Sequence, residues 1–262
     1  MKRRVAKFAS EAAMCAQFIA IATGAVARPG WERQGPKPTG WIAYPETAGW
    51  DILLVRERDG FQIGIQAKLR LNDDVILQAL ESRHMACLPG PDCRAVLVPE
   101  GTGSALHHLF CQRAGIQVVT LDEDGRVRPE VPRQDIDEWD RWTSDWPQML
   151  PVSREALPPV VPDVAAGVKS PLQLTAWKVK ALKLAVVLEK RGWLCRQDFK
   201  HLEIDHRRFL DNQWLVAIDG AWRSGPHWPD FKRQHPRNFD EIAALYDDWK
   251  PAEPAGEFGR LM

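Results

Sequence analysis

Four residues in the first half of the chain, Asp51 and the tripeptide Gln66-Ala67-Lys68, carry groups that could act together on a phosphate. Asp51 opens an apolar run that ends at Val55, and Gln66-Ala67-Lys68 closes a second run. A carboxylate, an amide oxygen and the main-chain carbonyl of Ala67 are oxygen donors of the kind that Mg²⁺ or Mn²⁺ prefers. The ammonium of Lys68 could orient or help deprotonate a water molecule and stabilise charge that develops on a phosphate. This set of residues indicates metal-assisted hydrolysis of a phosphate ester.

A β-hairpin would bring these groups together. Asp59-Gly60 separates the two apolar runs and is a strong turn signal. Antiparallel pairing places the start of the first run beside the end of the second, so Asp51 should lie near Gln66 and Lys68. Alternation along the strand directs Gln66 and Lys68 to one face and Ala67 to the other.

The segments around the hairpin alternate between helical and strand patterns. Phe8, Ala12, Cys15, Ile19 and Ala22 recur at helical spacing and predict an amphipathic first helix. The elements predicted after it are a strand at 41–44, the hairpin at 51–68, a helix at 73–86, a strand at 95–98, a helix at 103–114 and a strand at 116–121. This order predicts an α/β domain over residues 1–128, with a mixed sheet flanked by helices.

The arrangement resembles the PD-(D/E)XK nuclease superfamily, in which an acidic residue precedes a hairpin that ends in Glu or Gln, any residue, and Lys. Gly49-Trp50-Asp51 followed by Gln66-Ala67-Lys68 is similar to the Gln variant of Mrr-type restriction enzymes and of the endonuclease subunit of some transposases. The resemblance implies a restriction-endonuclease-like fold, DNA as substrate and Mg²⁺ or Mn²⁺ as cofactor.

The resemblance also implies a further acidic residue on the first helix, where Glu11 stands. Glu46, five residues before Asp51, competes for the same role, and the sequence does not separate the two. The implied metal ligands are Asp51, Gln66, the Ala67 carbonyl and Glu11, and Lys68 completes the catalytic set with Glu11 or Glu46. The alternative is that Asp51 and Lys68 form an ordinary salt bridge on an α/β sheet, or belong to a relative that has lost catalysis.

Residues 129–170 differ in composition from the segments on either side. They are punctuated by prolines and have little periodicity beyond Trp139, Trp142 and Trp146. This composition predicts a linker that is partly docked by its tryptophans.

The last third, residues 171–262, is predicted to be a smaller winged helix-turn-helix domain. The predicted elements are a helix from Ser170-Pro171 to Gly192, a helix at 197–202, a helix at 206–212, a hairpin turning at Asp219-Gly220 and a last helix at 240–249. Between residues 173 and 237 there are thirteen Lys and Arg against seven Asp and Glu, a surplus of six. Such a surplus suits phosphate binding.

Four cations of this domain are the candidates for nucleic-acid contact. Arg207 and Arg208 lie on the presumed recognition helix, Arg223 lies on the wing, and Lys200 lies on the preceding helix. The alternative is that the domain binds protein, as other winged helices do, with its tryptophans serving mainly as core.

Composition limits the class of protein. The chain has 262 residues with 35 basic and 35 acidic side chains, which suits two compact units and excludes a disordered or histone-like polyelectrolyte. Five cysteines, an odd number, suit a reducing compartment, so we expect a cytoplasmic protein. Lys2-Arg3-Arg4 imitates a secretory signal, but Glu11 and Gln17 interrupt its apolar core.

We expect DNA as the partner, and no membrane association or organic cofactor. Cutting both strands of a duplex usually requires a second copy of such a cleft, so a homodimer is also a candidate. Two other functions stay open: a catalytically inactive DNA-binding or regulatory protein on a nuclease scaffold, and an interaction subunit of a defence or mobile-element complex.

Overall fold

The computed structural model describes residues 5–30, 32–81, 88–132, 146–168 and 174–252. The chain divides into two compact units. Unit 1 comprises Met1–Leu157 and Val164–Pro171, and unit 2 comprises Pro158–Asp163 and Leu172–Met262. The stretch predicted as a linker is therefore shared between the two units.

A six-stranded mixed sheet forms the centre of unit 1. Its strands, in spatial as well as chain order, are β1 (Trp41–Thr47), β2 (Trp50–Arg56), β3 (Gln62–Ala67), β4 (Cys93–Pro99), β5 (Ile116–Leu121) and β6 (Val127–Arg128). Strands β1 to β3 are antiparallel, β3, β4 and β5 run parallel, and β6 returns antiparallel. The predicted mixed α/β architecture is confirmed, whereas β6 had no counterpart in the prediction.

Helices cover both faces of this sheet. They are α1 (Glu11–Ala22), α2 (Asp73–Glu81) and α3 (Ala105–Arg113), with a 3₁₀ turn at Glu32–Gln34. Met14, Cys15 and Phe18 of α1 pack on one face, with alternate residues of the strands such as Ile63 and Ile65. The helices α2 and α3 pack on the other face, where Leu53 and Val96 point. The two crossovers that contain α2 and α3 connect parallel strands and cover one face, and α1 covers the other, which is why both faces of the sheet are apolar.

Part of the predicted linker packs against unit 1. Trp146 is 1% exposed and joins the core of the α1 face. Farther along, the side-chain amide of Gln62 exchanges two hydrogen bonds with the main chain of Glu155, at 2.9 and 2.8 Å. Asp92 accepts from Arg154 at 2.8 Å. Trp139 and Trp142 lie outside the described residues.

Unit 2 begins with three helices and a hairpin. They are α4 (Ala176–Arg191), α5 (Arg196–His201), α6 (Arg207–Asp211), β7 (Leu215–Ile218) and β8 (Ala221–Ser224). Leu194, between α4 and α5, forms a β-bridge with Trp222 of β8. Phe199, Phe209 and Trp222 pack edge to face in the core between these elements. Three short helices follow: α7 (Phe231–Gln234), α8 (Pro236–Ala244) and α9 (Tyr246–Trp249).

Helix boundaries in this region differ in part from the prediction. Helix α4 spans Ala176–Arg191, and its N-cap Thr175 accepts a hydrogen bond from the N–H of Lys178. The predicted start at Ser170-Pro171 lies outside the described residues. The single last helix expected at 240–249 is two helices, α8 and α9, with a break at Leu245. Helix α8 starts four residues earlier than predicted, since Pro236 suits the first helical position.

Candidate active site

The site lies where β2 and β3 separate. Their pairing runs from Val55 opposite Gln62 to Ile52 opposite Ile65 and stops there, while β3 continues against β4 as far as Ala67. Asp51 occupies the fork, and its carboxylate accepts a hydrogen bond of 2.7 Å from the N–H of Ala67. The side chain thus replaces the strand partner that this N–H would otherwise lack.

Lys68 follows the last residue of β3 and reaches α1. Its N–H donates to the carbonyl of Leu97 at 3.0 Å, which fixes its backbone against β4. Its Nζ lies 3.9 Å from the Glu11 carboxylate, and each side chain is about 30% exposed (29% and 31%). Glu11 is the first residue of α1, where the N-cap Ser10 ends the preceding loop. The structure therefore brings Glu11, Asp51 and Lys68 to one place from three different elements.

Glu46 lies in the same region but has different partners. It has a φ of 48°, a conformation unusual for a residue other than glycine, and the turn that follows uses positive φ at Ala48 and Gly49. Its carboxylate accepts a hydrogen bond of 2.9 Å from the N–H of Gly167, and the backbone of Val168 also acts to lower its pKa. Strained backbone of this kind concentrates at functional sites.

Gln66 is 7% exposed and holds the β1–β2 turn. Its Nε2 donates to the carbonyl of Gly49 at 2.8 Å, which leaves Oε1 as the acceptor atom of the amide. The residue was predicted to share a face with Lys68. In the structure the Gln66 amide is hydrogen-bonded to the carbonyl of Gly49, whereas the ammonium of Lys68 lies beside the carboxylate of Glu11.

Burial and mutual repulsion disfavour the ionised forms of Asp51 and Glu46. Burial raises the pKa of Asp51 and the nearby charge of Glu11 raises it further, against the lowering effects of the Ala67 N–H and of Lys68. Burial and then the charge of Asp51 raise the pKa of Glu46 as well. Burial, followed by the charges of Asp51, Glu11 and Glu46, raises the pKa of the Cys15 thiol far above its usual range, so this thiol stays protonated. Three carboxylates share the region with one ammonium group.

The donor set is compatible with a divalent cation. Ionised together, three carboxylates and one lysine leave a charge of −2, which an ion of charge +2 would neutralise. Within the described part of the chain, no group of three or more His, Cys, Asp and Glu is arranged to hold a metal. Mg²⁺ does not require one, because it keeps several waters and often binds through one or two carboxylates and substrate phosphates. Asp51 and Glu11 supply oxygen donors of that kind.

No sequence pattern indicated Gly167, which is hydrogen-bonded to Glu46 and lies close to Glu11. It lies in the stretch predicted as linker, 121 positions from Glu46. A Cβ on Gly167 would stand 3.0 Å from the sulfur of Cys15 and 3.3 Å from the backbone of Glu11. A glycine after two alanines is a weak local signal, so only the return of the chain onto α1 reveals its position.

The four cations predicted to contact nucleic acid differ in their surroundings. Lys200 is exposed on α5, and Arg207 is exposed with its Nε 3.3 Å from the Asp205 carboxylate. Arg208 instead stacks on Trp177, with its guanidinium 4.3 Å from the ring centroid. Arg223 is partly buried on β8. Arg208 thus has a packing role that the sequence pattern did not indicate.

Comparison of the chain with protein-family models, with curated proteins and with solved structures gives no match. Across the residues that the structure describes, none of the helices has the length and apolar character needed to cross a membrane.

Proposed function

We propose that this protein is a metal-dependent nuclease that hydrolyses DNA phosphodiester bonds, with a restriction-endonuclease-like unit 1 and a winged-helix unit 2. The observation that carries the proposal is the meeting of Asp51, Glu11 and Lys68 at the fork between β2 and β3. A salt bridge on an ordinary sheet needs one carboxylate, whereas here further carboxylates are held together at an electrostatic cost that a cationic ligand would offset.

The residues of the site have separable tasks in this proposal. Asp51 and Glu11 would hold a Mg²⁺ or Mn²⁺ ion, and the Gln66 amide oxygen and the Ala67 carbonyl remain candidates for further ligands. When bound, the ion would act as a Lewis acid toward the phosphate and lower the pKa of a water molecule. The ammonium of Lys68 would hydrogen-bond a phosphate oxygen or the attacking water and stabilise the negative charge of the transition state.

The assignment of unit 2 to the winged helices is supported by the order of α4, α5, α6 and the β7–β8 hairpin. An isolated β-bridge between Leu194 and Trp222 ties the segment between α4 and α5 to that hairpin. DNA would meet the exposed cations of α5 and α6, Lys200 and Arg207, and Arg223 on the hairpin would reach the backbone or an adjacent groove. Contacts of this kind position the duplex without specifying its sequence.

The test is cleavage of supercoiled and linear DNA with Mg²⁺ or Mn²⁺, in wild type, Asp51→Asn and Lys68→Ala. The asparagine side chain would keep an oxygen acceptor for the Ala67 N–H while losing the charge. Lys37→Ala is the matched control for Lys68, because Lys37 is an exposed lysine whose Nζ bonds to Gln34 in its own loop. We expect cleavage in wild type and the control and its loss in both site variants, with unchanged thermal unfolding.

A non-catalytic DNA-binding scaffold is the second candidate. Two contacts favour it: Lys68 lies beside Glu11 as in an ion pair, and the amide of Gln66 is engaged with Gly49. This function predicts no heat of Mn²⁺ binding in calorimetry but salt-dependent DNA binding in gel shifts. Loss of both properties would favour an interaction subunit instead.

A further inference from the structure

Gly167 connects the two carboxylates that the sequence could not separate. Its N–H donates to Glu46, and its Cα faces Glu11 and Cys15 of α1. The neighbouring backbone of Val168 acts to lower the pKa of the same carboxyl group. Glu46 is therefore bound to the segment Val164–Val168, whereas Glu11 faces the ammonium of Lys68.

The contact between Gly167 and α1 requires glycine for two reasons. The φ of Gly167 is +72°, in the left-handed region. A Cβ would also stand 3.0 Å from the Cys15 sulfur and 3.3 Å from Glu11. The segment consequently approaches the first turn of α1 closely enough that an added Cβ would make tight contacts, and either the segment or α1 would have to shift.

The backbone of Glu46 places its carboxylate for this contact. Pro45 pairs with Ile52 and Thr47 pairs with Trp50, so Glu46 lies across from Asp51 in the register. Its positive φ breaks the regular extended conformation at that point. In a regular strand, position 46 would share the face of Tyr44, which packs with the α2 and α3 side of the sheet and away from α1.

We infer that Glu46 is a positioning residue, which holds Gly167 against α1 and so keeps Glu11 beside Lys68, and that Glu11 is the metal-binding carboxylate. This inference rests on the proposed nuclease function. It assigns a role to Gly167, which contacts Glu46 and approaches Glu11. The hydrogen bond from Gly167 requires an acceptor oxygen at position 46, whereas a metal ligand would require a negative charge.

Amide substitutions distinguish the two roles. Glu46→Gln keeps an acceptor oxygen and removes the charge, while Glu46→Ala removes both. We expect Glu46→Gln, which removes one charge beside Asp51, to bind Mn²⁺ within a few-fold of wild type, and Glu46→Ala to lose about 10- to 100-fold in Mn²⁺ affinity, as is typical for residues that orient a ligand. Glu11→Gln should lose Mn²⁺ binding although it also keeps an acceptor. Calorimetric titration with Mn²⁺ alone measures these affinities.

Gly167→Ala tests the contact from the other side. We expect it to weaken Mn²⁺ binding as Glu46→Ala does. Gly35→Ala is the matched control, because Gly35 also has a positive φ, 67°, but has nothing within 4 Å of an added Cβ. The difference between the two alanine variants isolates the contact with α1 from the cost of the left-handed backbone.

Hydrogen–deuterium exchange of the metal-free protein supplies a readout that does not depend on the proposed function. Glu46→Ala should accelerate exchange both in 164–168 and in the first turn of α1, while Glu46→Gln should accelerate neither. If wild type binds no Mn²⁺, the nuclease proposal fails, and this coupled exchange alone decides whether Glu46 positions Glu11. Two results would overturn the inference. One is an equal loss of Mn²⁺ affinity in Glu46→Gln and Glu46→Ala. The other is an exchange rate in the first turn of α1 that is the same in wild type and Glu46→Ala.

Discussion

Asp51 in unit 1 and Asp163 in unit 2 are both shielded carboxylates, yet their surroundings differ. Asp163 is saturated: one oxygen lies 2.9 Å from Nδ1 of His235, and the other accepts from the N–H groups of Arg237 and Asn238 at 2.9 and 3.2 Å. Within the described part of the chain, Asp51 accepts one hydrogen bond, from Ala67, and its neighbours include other carboxylates.

The difference separates a structural carboxylate from a candidate functional one. Asp163 receives donors at the start of α8, where the free N–H groups of a helix favour an anion. Asp198 is intermediate: Arg191 and the N–H of Cys195 both donate to its Oδ2, whereas its buried Oδ1 has no hydrogen-bond partner among the described residues. Asp51 and Asp163 are both partly buried, so the supply of donors and the nearness of other carboxylates, rather than burial, mark Asp51 as a place for a ligand.

The largest expected effect that tests this difference is that of Asp51→Asn. We expect Asp51→Asn to lower metal-dependent cleavage by about 100- to 1000-fold, the order found when a single transition-state interaction is removed. Stability should not fall, because Asn can still accept from Ala67 and the repulsion from Glu11 is gone. Cleavage assays together with thermal unfolding measure both. A large decrease in the thermal stability of Asp51→Asn would instead show that Asp51, like Asp163, has a structural role.

Asp163→Ala should show the opposite pattern. Removing it leaves His235 buried and the first N–H groups of α8 without an acceptor, so unit 2 should lose about 3 kcal/mol of stability. Mn²⁺ affinity in unit 1 should not change. Urea unfolding followed by tryptophan fluorescence measures the first quantity and calorimetry the second. A stability loss below about 0.5 kcal/mol, the range of ordinary surface substitutions, would contradict the saturated role of Asp163.

The pH dependence of stability extends the comparison to Glu46. Folding raises the pKa of Asp51 and Glu46, so the native state holds their protons more tightly than the unfolded state does. The stability they contribute is therefore fully present below the ordinary values, 3.8 and 4.5, and is lost as pH rises above them through the folded pKa values.

The double variant Asp51→Asn with Glu46→Gln should remove this loss. Thermal unfolding of the metal-free protein from pH 4 upward measures it as the difference between wild type and the double variant. Addition of Mg²⁺ should restore stability to wild type at neutral pH and not to the variant. A parallel pH dependence in the two proteins would show that these carboxylates carry no unfavourable charge.

The smallest expected effect separates two adjacent arginines of unit 2. Arg207→Ala should reduce the slope of log affinity for DNA against log salt by about 1, with little change in stability. Arg208→Ala should instead cost about 1 kcal/mol of stability through its lost stacking on Trp177. Salt titrations of DNA binding by fluorescence anisotropy, with unfolding curves, compare them. Equal salt slopes in both variants and wild type would argue against DNA contact at α6.

Local signals predicted much of unit 1. The Asp59-Gly60 turn and the alternating runs around it predicted β2 and β3, and the helical spacing of Cys15 and Ile19 predicted α1. These features repeat over a few residues, so a sequence window contains them. The strand β6, the positive φ at Glu46 and the split between α8 and α9 were missed. Strand β6 is only two residues long, too short for an alternating pattern, and Glu46 is bonded to Gly167 from 121 positions away.

By itself the sequence determined which chemical groups could meet, since the period of a strand and the turn at Asp59-Gly60 place Asp51 near the end of β3. The tertiary structure decided which of these groups contact one another. It placed Glu11 beside Lys68, turned Gln66 toward Gly49 and brought Gly167 to Glu46 from 121 positions away. Local patterns fix the face and spacing of side chains, but the partners of a carboxylate depend on how the whole chain returns, and no short window holds that information.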